Sequence, residues 1–166
     1  MRLSPGARKF ALTAHVVCSV GWLGAVAAFL ALAIAGVASS DAQLVRAVDL
    51  AMEASAWAVI LPLALASLVT GLIQSLGTRW GLFRHYWVVF KLVINVLATT
   101  ILILYVQTLG ELAELARSET TSLAELSSFS PVLHASAALL LLIVAAVLAV
   151  YKPRGLTPYG RRKAGA

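Results

Sequence analysis

The chain has 166 residues, of which 61% are hydrophobic and 12% charged, and its mean hydropathy is +0.92. A soluble domain carries about twice that charge fraction, so the composition excludes an ordinary soluble protein and indicates a multi-pass membrane protein, all-α, forming one domain over 1–166. The formal net charge of +6 is what cytoplasmic loops accumulate beside an anionic leaflet, and it gives no support to nucleic acid as a partner.

A membrane-crossing helix needs roughly 20 mainly apolar residues. The first such segment is Phe10–Ala38, preceded by Arg2, Arg8 and Lys9. Gly36-Val37-Ala38 resembles a signal-cleavage site, but the apolar run far exceeds the roughly 7–15 residues of a signal core, so retention is expected. Gly21 and Ala25, with Gly24 and Ala28 alongside, offer a small-residue face for a neighbouring helix.

Ser40-Asp41-Ala42-Gln43 follows with the spacing of a capping box. Leu44, Val48, Ala51 and Met52 then share one helical face, with Arg46, Asp49 and Glu53 on another. An amphipathic helix on the outer surface is expected, running into the second span, Ala56–Gly77. That span contains Pro62, a candidate kink. It also carries Ser67, Gly71 and Ser75 at four-residue spacing, a ridge that admits a partner helix.

The loop Thr78–His85 is basic through Arg79 and Arg84, and it forces the second and third spans into an antiparallel hairpin. Trp80, Tyr86 and Trp87 are placed as interfacial anchors, and His85 is expected to be solvated. The third span is Tyr86–Leu109. Leu112, Leu115, Leu123 and Leu126 suggest a less regular amphipathic stretch over Gly110–Ser130. Ser130-Pro131 has the form of a cap and first helical residue for the fourth span, Pro131–Tyr151. In that span Ala138, Ala145 and Ala149 are the small residues. The tail 152–166 carries Lys152, Arg154, Arg161, Arg162 and Lys163, suited to anionic lipid.

Lys and Arg concentrate before the first span, between the second and third, and after the fourth. All seven acidic residues lie in the other two connections. A four-helix bundle with both termini cytoplasmic follows from this distribution.

Few polar groups remain within the spans. Cys18 and Trp22 share a face with His15, and Trp87, Asn95 and Thr99 share one with Lys91. At 1.5 Å per residue His15 and Lys91 sit at similar depth, about 7–8 Å inside, whereas His134 is displaced from them by roughly 20 Å. One haem ligated by both His15 and His134 is therefore not expected. No span contains a carboxylate to pair Lys91. Either its ammonium snorkels to the headgroups, or a non-protein anion such as a haem propionate, lipid phosphate or substrate carboxylate partners it. For His15 the alternatives are helix packing and axial haem or metal ligation. His134 and Cys18 are read as packing residues. A single cysteine permits no internal disulfide and no metal-binding cysteine spacing. Phosphate-binding glycine loops, HExxH and serine-centred triads are missing too, so hydrolytic chemistry has no support.

His15-x6-Trp22-x-Gly24 resembles a signature shared by DUF2269 integral membrane proteins, CopD copper-resistance proteins and HemJ-type protoporphyrinogen oxidases. The chain looks most like actinobacterial DUF2269-like proteins. That resemblance extends through Pro62-Leu63-Ala64, Leu68-Val69-Thr70-Gly71, Gly77-Thr78-Arg79-Trp80-Gly81-Leu82, Tyr86-Trp87-Val88-x2-Lys91-Leu92 and Tyr151-Lys152-Pro153. It implies a bacterial plasma-membrane protein. The HemJ-type likeness implies haem b, with a first-span histidine and third-span lysine at the places of His15 and Lys91. The rest of the chain departs from that family, and the paucity of methionine departs from CopD.

The leading expectation is a haem-b-binding or redox-associated membrane protein. His15 is the axial ligand, Lys91 the propionate partner, and Trp22 and Asn95 complete the site. The alternatives are a non-enzymatic scaffold or accessory subunit, acting as a homo-oligomer or with a membrane partner, and a small anion or metal permease. No residue is assigned a catalytic role, and whether the chain is an enzyme stays open.

Overall fold

The computed structural model describes residues 3–78 and 80–164, so Arg2 and Arg79, which entered the charge pattern, lie outside the described residues. Among the described residues seven α-helices form: α1 Pro5–Ala38, α2 Ala42–Ser55, α3 Leu61–Leu76, α4 Tyr86–Arg117, α5 Leu123–Leu126, α6 Ser130–Tyr151 and α7 Pro158–Ala164. Among the described residues there is no strand, only an isolated antiparallel bridge between His85 and Leu156. Four helical stretches among the described residues are long and apolar enough to cross a membrane.

Each apolar block lies inside a longer helix. α1 begins at Pro5, where Ser4 Oγ accepts the Ala7 N–H and proline occupies the first turn. α2 and α3 form one continuous helix joined by a π-turn at Ala56–Ile60, and the dihedrals stay helical throughout. Pro62 lies just beyond that turn. Its ring cannot sit against the carbonyl four residues back, and a wider turn at that place makes room for it. The apolar part, 56–76, is about 31 Å long and sufficient for the hydrocarbon core. The charged segment 42–55 therefore runs into the span, as expected, and continues it beyond the apolar block. α4 likewise runs past Leu109 to Arg117.

The four long helices neighbour one another in the order α1, α3, α4, α6 and back to α1, so α1 and α4 face each other across the bundle. Lipid is as apolar as leucine, and helices in it gain mainly by close packing. Small residues accordingly stand at the crossings: Ala33, Ala56, Ala64, Ala98, Ala135 and Ala145 are all buried. The Ser67–Gly71–Ser75 ridge does face α1, with Ser67 Oγ 2.8 Å from Ser19 Oγ. On α1, Gly21 meets Leu63, while Gly24 has nothing near its missing Cβ. The interior continues outward through Trp22, Phe29, Ile60, Tyr105 and Leu109.

The outer layer differs from expectation in three details. The cap of α2 is Asp41 alone, whose Oδ1 accepts the Gln43 N–H at 2.9 Å. The capping box stands instead at Ser122 and Glu125. The inward stripe of α2 is Val45, Val48, Asp49 and Met52, with Leu44 exposed, because α1, α4 and α5 together bracket it. The leucine-bearing stretch is divided: 110–117 extends α4, and Leu123 and Leu126 of α5 pack with Val45 and Ala116. Arg46 holds this layer by donating to the carbonyls of Ala116, Ser118, Glu119 and Thr121, which cluster at the C-terminus of α4. Arg117 bridges Glu53 at 2.6 Å and Glu114 at 2.7 Å.

At the opposite end the tail is not a free basic arm. Lys152, at φ 45°, ends α6 in the left-handed region and turns the chain back. Gly155 O accepts from Tyr86 N, Arg84 O from Thr157 N, and Phe83 O from Thr157 Oγ1 at 2.5 Å. α7 is thereby seated on the 77–85 loop. His85 is partly buried there, its Nδ1 2.8 Å from Trp80 O.

Candidate functional site

Beside this end a cleft of about 1020 Å³ opens among α1, α3, α4 and the end of α6. His15, Lys91 and Asn95 all line it, as do Gln74, Ser75 and Lys152. The matched depth of His15 and Lys91 thus becomes a shared cavity, with the two residues on the facing helices α1 and α4.

His15 is held from one side. Its Nδ1 lies 3.1 Å from Ser67 O and 3.1 Å from Thr70 Oγ1. A carbonyl can only accept, so Nδ1 carries the proton. The Thr70 hydroxyl donates to Ala66 O at 2.6 Å, which leaves a lone pair on Oγ1 for the same imidazole proton. Both contacts therefore specify one tautomer, with the Nε2 lone pair free. The ring lies so close to α3 that a Cβ at position 71 would stand 3.0 Å from His15 Cε1, and the ring would have to give by a few tenths of an ångström to admit it.

The Lys91 ammonium makes no hydrogen bond or ion pair among the described residues, and it shares the cleft with the His15 ring. Asn95 donates to Lys91 O at 2.8 Å, which holds the amide along α4. Arg8, Lys9 and Lys152 add further positive charge, and no Asp or Glu lines the cleft among the described residues. Lys152 Nζ also stands 5.8 Å above the Trp80 ring.

Trp22 is placed elsewhere. It is 2% exposed, packed in the apolar interior one helical stretch deeper than His15, with Nε1 unpartnered among the described residues. Cys18 is partly exposed and does not line the cleft.

His134 lies at the other level. Its ring stacks on Tyr105 with centroids 3.9 Å apart and planes 16° from parallel. Tyr105 is fourteen residues beyond Lys91 on α4, about 21 Å along the helix. His15 and His134 therefore occupy separate sites.

Thr70 and Ser67 are the functional neighbours that sequence reasoning missed. In the sequence Ser67 stands out only as a small residue, and Thr70 only within Leu68-Val69-Thr70-Gly71. The available signal was their i, i+3 spacing, which puts both polar atoms beside the glycine that lets a ring approach. Among the described residues no group of three or more His, Cys, Asp or Glu side chains could hold a metal ion. The chain matches no family model, no curated protein and no solved structure.

Proposed function

We propose that this integral membrane protein binds an anionic, amphiphilic iron porphyrin of the haem b type in the cleft. His15 Nε2 is the axial ligand, and Lys91 is the partner of a propionate. The observation that carries the reading is the orientation of His15: its Nδ1–H is committed to Ser67 O and Thr70 Oγ1, leaving Nε2 as the free basic nitrogen of a ring that lines a cationic cleft, with no Asp or Glu in that lining among the described residues. A backbone carbonyl accepting from the far nitrogen is what commonly fixes the tautomer and orientation of a metal-bound imidazole.

The fit can be judged from the donor set. Bare metal ions need several protein ligands, and His15 stands alone, whereas a porphyrin brings four nitrogens of its own and needs only an axial base. At about 1020 Å³ the cleft matches the upper end of the roughly 300–1,000 Å³ typical of ligand sites. Arg8, Lys9, Lys91 and Lys152 offer charge to acidic side arms. When bound, the group supplies one-electron redox chemistry. The chain fixes the imidazole tautomer, provides an ammonium unpaired among the described residues, and surrounds the remainder with apolar helix faces. Basic loops at this end favour a cytoplasmic orientation for the cleft and for both termini, in a bacterial plasma membrane.

The test is purification of the full chain in mild detergent from haem-replete cells. Wild type should show a Soret band, His15→Ala should lose it, and Lys91→Met should fold but retain less haem. A colourless wild-type protein across several preparations, or full haem content in His15→Ala, overturns the reading.

A further inference from the structure

The outer half of the bundle holds a second cavity, unconnected with the reading above. It is an apolar groove of about 350 Å³ between α1, the π-turn, α4 and α6. Phe29, Ile60, Leu102 and Leu141 line its body, while Ile101 and Ala137 also border it and are exposed on the lipid-facing side. It is thus reachable sideways from the bilayer.

One polar device is built into its wall. His134 Nδ1 is 2.9 Å from Ser130 O, which can only accept, so Nδ1 bears the proton. The Tyr105 hydroxyl donates to Ser130 Oγ at 3.1 Å and is thereby occupied. His134 is clamped by the parallel Tyr105 ring. What remains is the Nε2 lone pair, an acceptor without a partner among the described residues, on a ring that lines the groove. A site made of apolar walls and one fixed acceptor selects a neutral ligand with an apolar chain and a hydroxyl head. An anionic head would lose its hydration with no Lys or Arg lining the groove among the described residues, and a head without a donor would leave Nε2 unpaired in a dry place.

We propose that this groove binds a neutral lipid carrying a donor hydroxyl, of the isoprenoid quinol or lipid alcohol class, whose O–H donates to His134 Nε2. The two sources share the same recognition chemistry, an apolar chain and one donated proton.

The experiment uses the full chain in nanodiscs of fixed composition, with empty nanodiscs as the baseline. Saturable binding is measured for decylubiquinol, decylubiquinone and dioctanoylglycerol. Wild type should bind at least one of the hydroxyl ligands about tenfold more tightly than the quinone, the worth of one hydrogen bond in an apolar site. Preference for decylubiquinol assigns the quinol source, and preference for dioctanoylglycerol the lipid alcohol. His134→Phe keeps the stack on Tyr105 and should erase the tenfold preference. Ala137→Leu fills the groove from its exposed side without disturbing the interior, and it should abolish binding of every ligand. A wild type that binds neither decylubiquinol nor dioctanoylglycerol more tightly than decylubiquinone, no saturable binding above empty discs, or an unchanged affinity in Ala137→Leu each overturns the proposal.

Discussion

Substituting Gly71 by alanine tests how closely the imidazole of His15 is held against α3. Alanine is intrinsically the better helix former by about 1 kcal/mol, so in open surroundings the change would stabilise. Here the new Cβ would stand 3.0 Å from His15 Cε1 and 3.5 Å from Nδ1, so the ring must give by a few tenths of an ångström. The ring can retreat only by stretching the 3.1 Å contacts to Ser67 O and Thr70 Oγ1. Overpacking of a tight contact costs about 1–3 kcal/mol, and a weakened hydrogen bond about 0.5–1.5 kcal/mol. Against the propensity gain, Gly71→Ala should lose about 1–2 kcal/mol net. Gly24→Ala is the internal control, because nothing lies within 4 Å of its added Cβ; it should be neutral or stabilising. Unfolding of the purified chain in graded SDS, followed by tryptophan fluorescence, reads both. With haem present, Gly71→Ala should also carry less of it per chain than Gly24→Ala. If Gly71→Ala matches Gly24→Ala in stability and haem content, His15 is not held by α3 and the tautomer assignment fails with it.

Three further outcomes follow from the ends of the bundle. Arg46→Ala should destabilise the outer layer by about 1.5–3 kcal/mol, the range for hydrogen bonds to a charged group, and expose 118–129 to added protease; lysine should rescue poorly, lacking the planar fork. Asp49, buried on α2 beyond the apolar block, has its carboxyl raised by burial from 3.8 to about 6. Between those values the folded chain retains a proton that the unfolded chain has released, so this contribution to stability falls as pH rises through the window and is lowest above about 6. Asp49→Asn should flatten that part of the pH–stability profile and raise stability at pH 7, as read by SDS titration at stepped pH. At the other end, the Cβ of Gly160→Ala would collide with the backbone carbonyl of Arg84 and lie 3.0 Å from its carbonyl carbon. That variant should release α7, seen as faster tryptic cleavage at Arg161 and Arg162, with the midpoint of bundle unfolding unchanged.

Sequence patterns were most legible where one physical requirement dominates a long segment. Twenty or so apolar residues in succession satisfy a bilayer whatever their neighbours do, so the four spans could be recognised directly. The ridge of Ser67, Gly71 and Ser75 was legible for the same reason, since close helix approach demands small side chains at helical spacing. The outer connections were less so. Leu44 and Val45 are equally apolar, and which of them turns inward depends on α1, α4 and α5 bracketing α2 from different sides. The capping box moved from Ser40 to Ser122 because a four-residue pattern is common, and the chain must also turn at that place for it to act. The folded tail had no periodic signal: its anchor is a few hydrogen bonds between Thr157 and the 83–84 backbone, more than seventy residues away.

The amino-acid sequence alone determined the membrane class, the four apolar blocks long enough to cross a bilayer, the absence of carboxylates from those blocks and the separation of His134 from His15 and Lys91 along the helices. Each of these depends on hydropathy or on a fixed rise per residue, which are local quantities. Only the tertiary structure decided which polar atoms meet. It placed α1 across from α4, so that His15 and Lys91 share a cleft, and buried Trp22 in the interior. It also committed the His15 Nδ1 proton to Ser67 and Thr70, and stacked His134 on Tyr105 at a separate groove. Helix rotation and neighbour order set those contacts, and they arise from the packing of all four helices together.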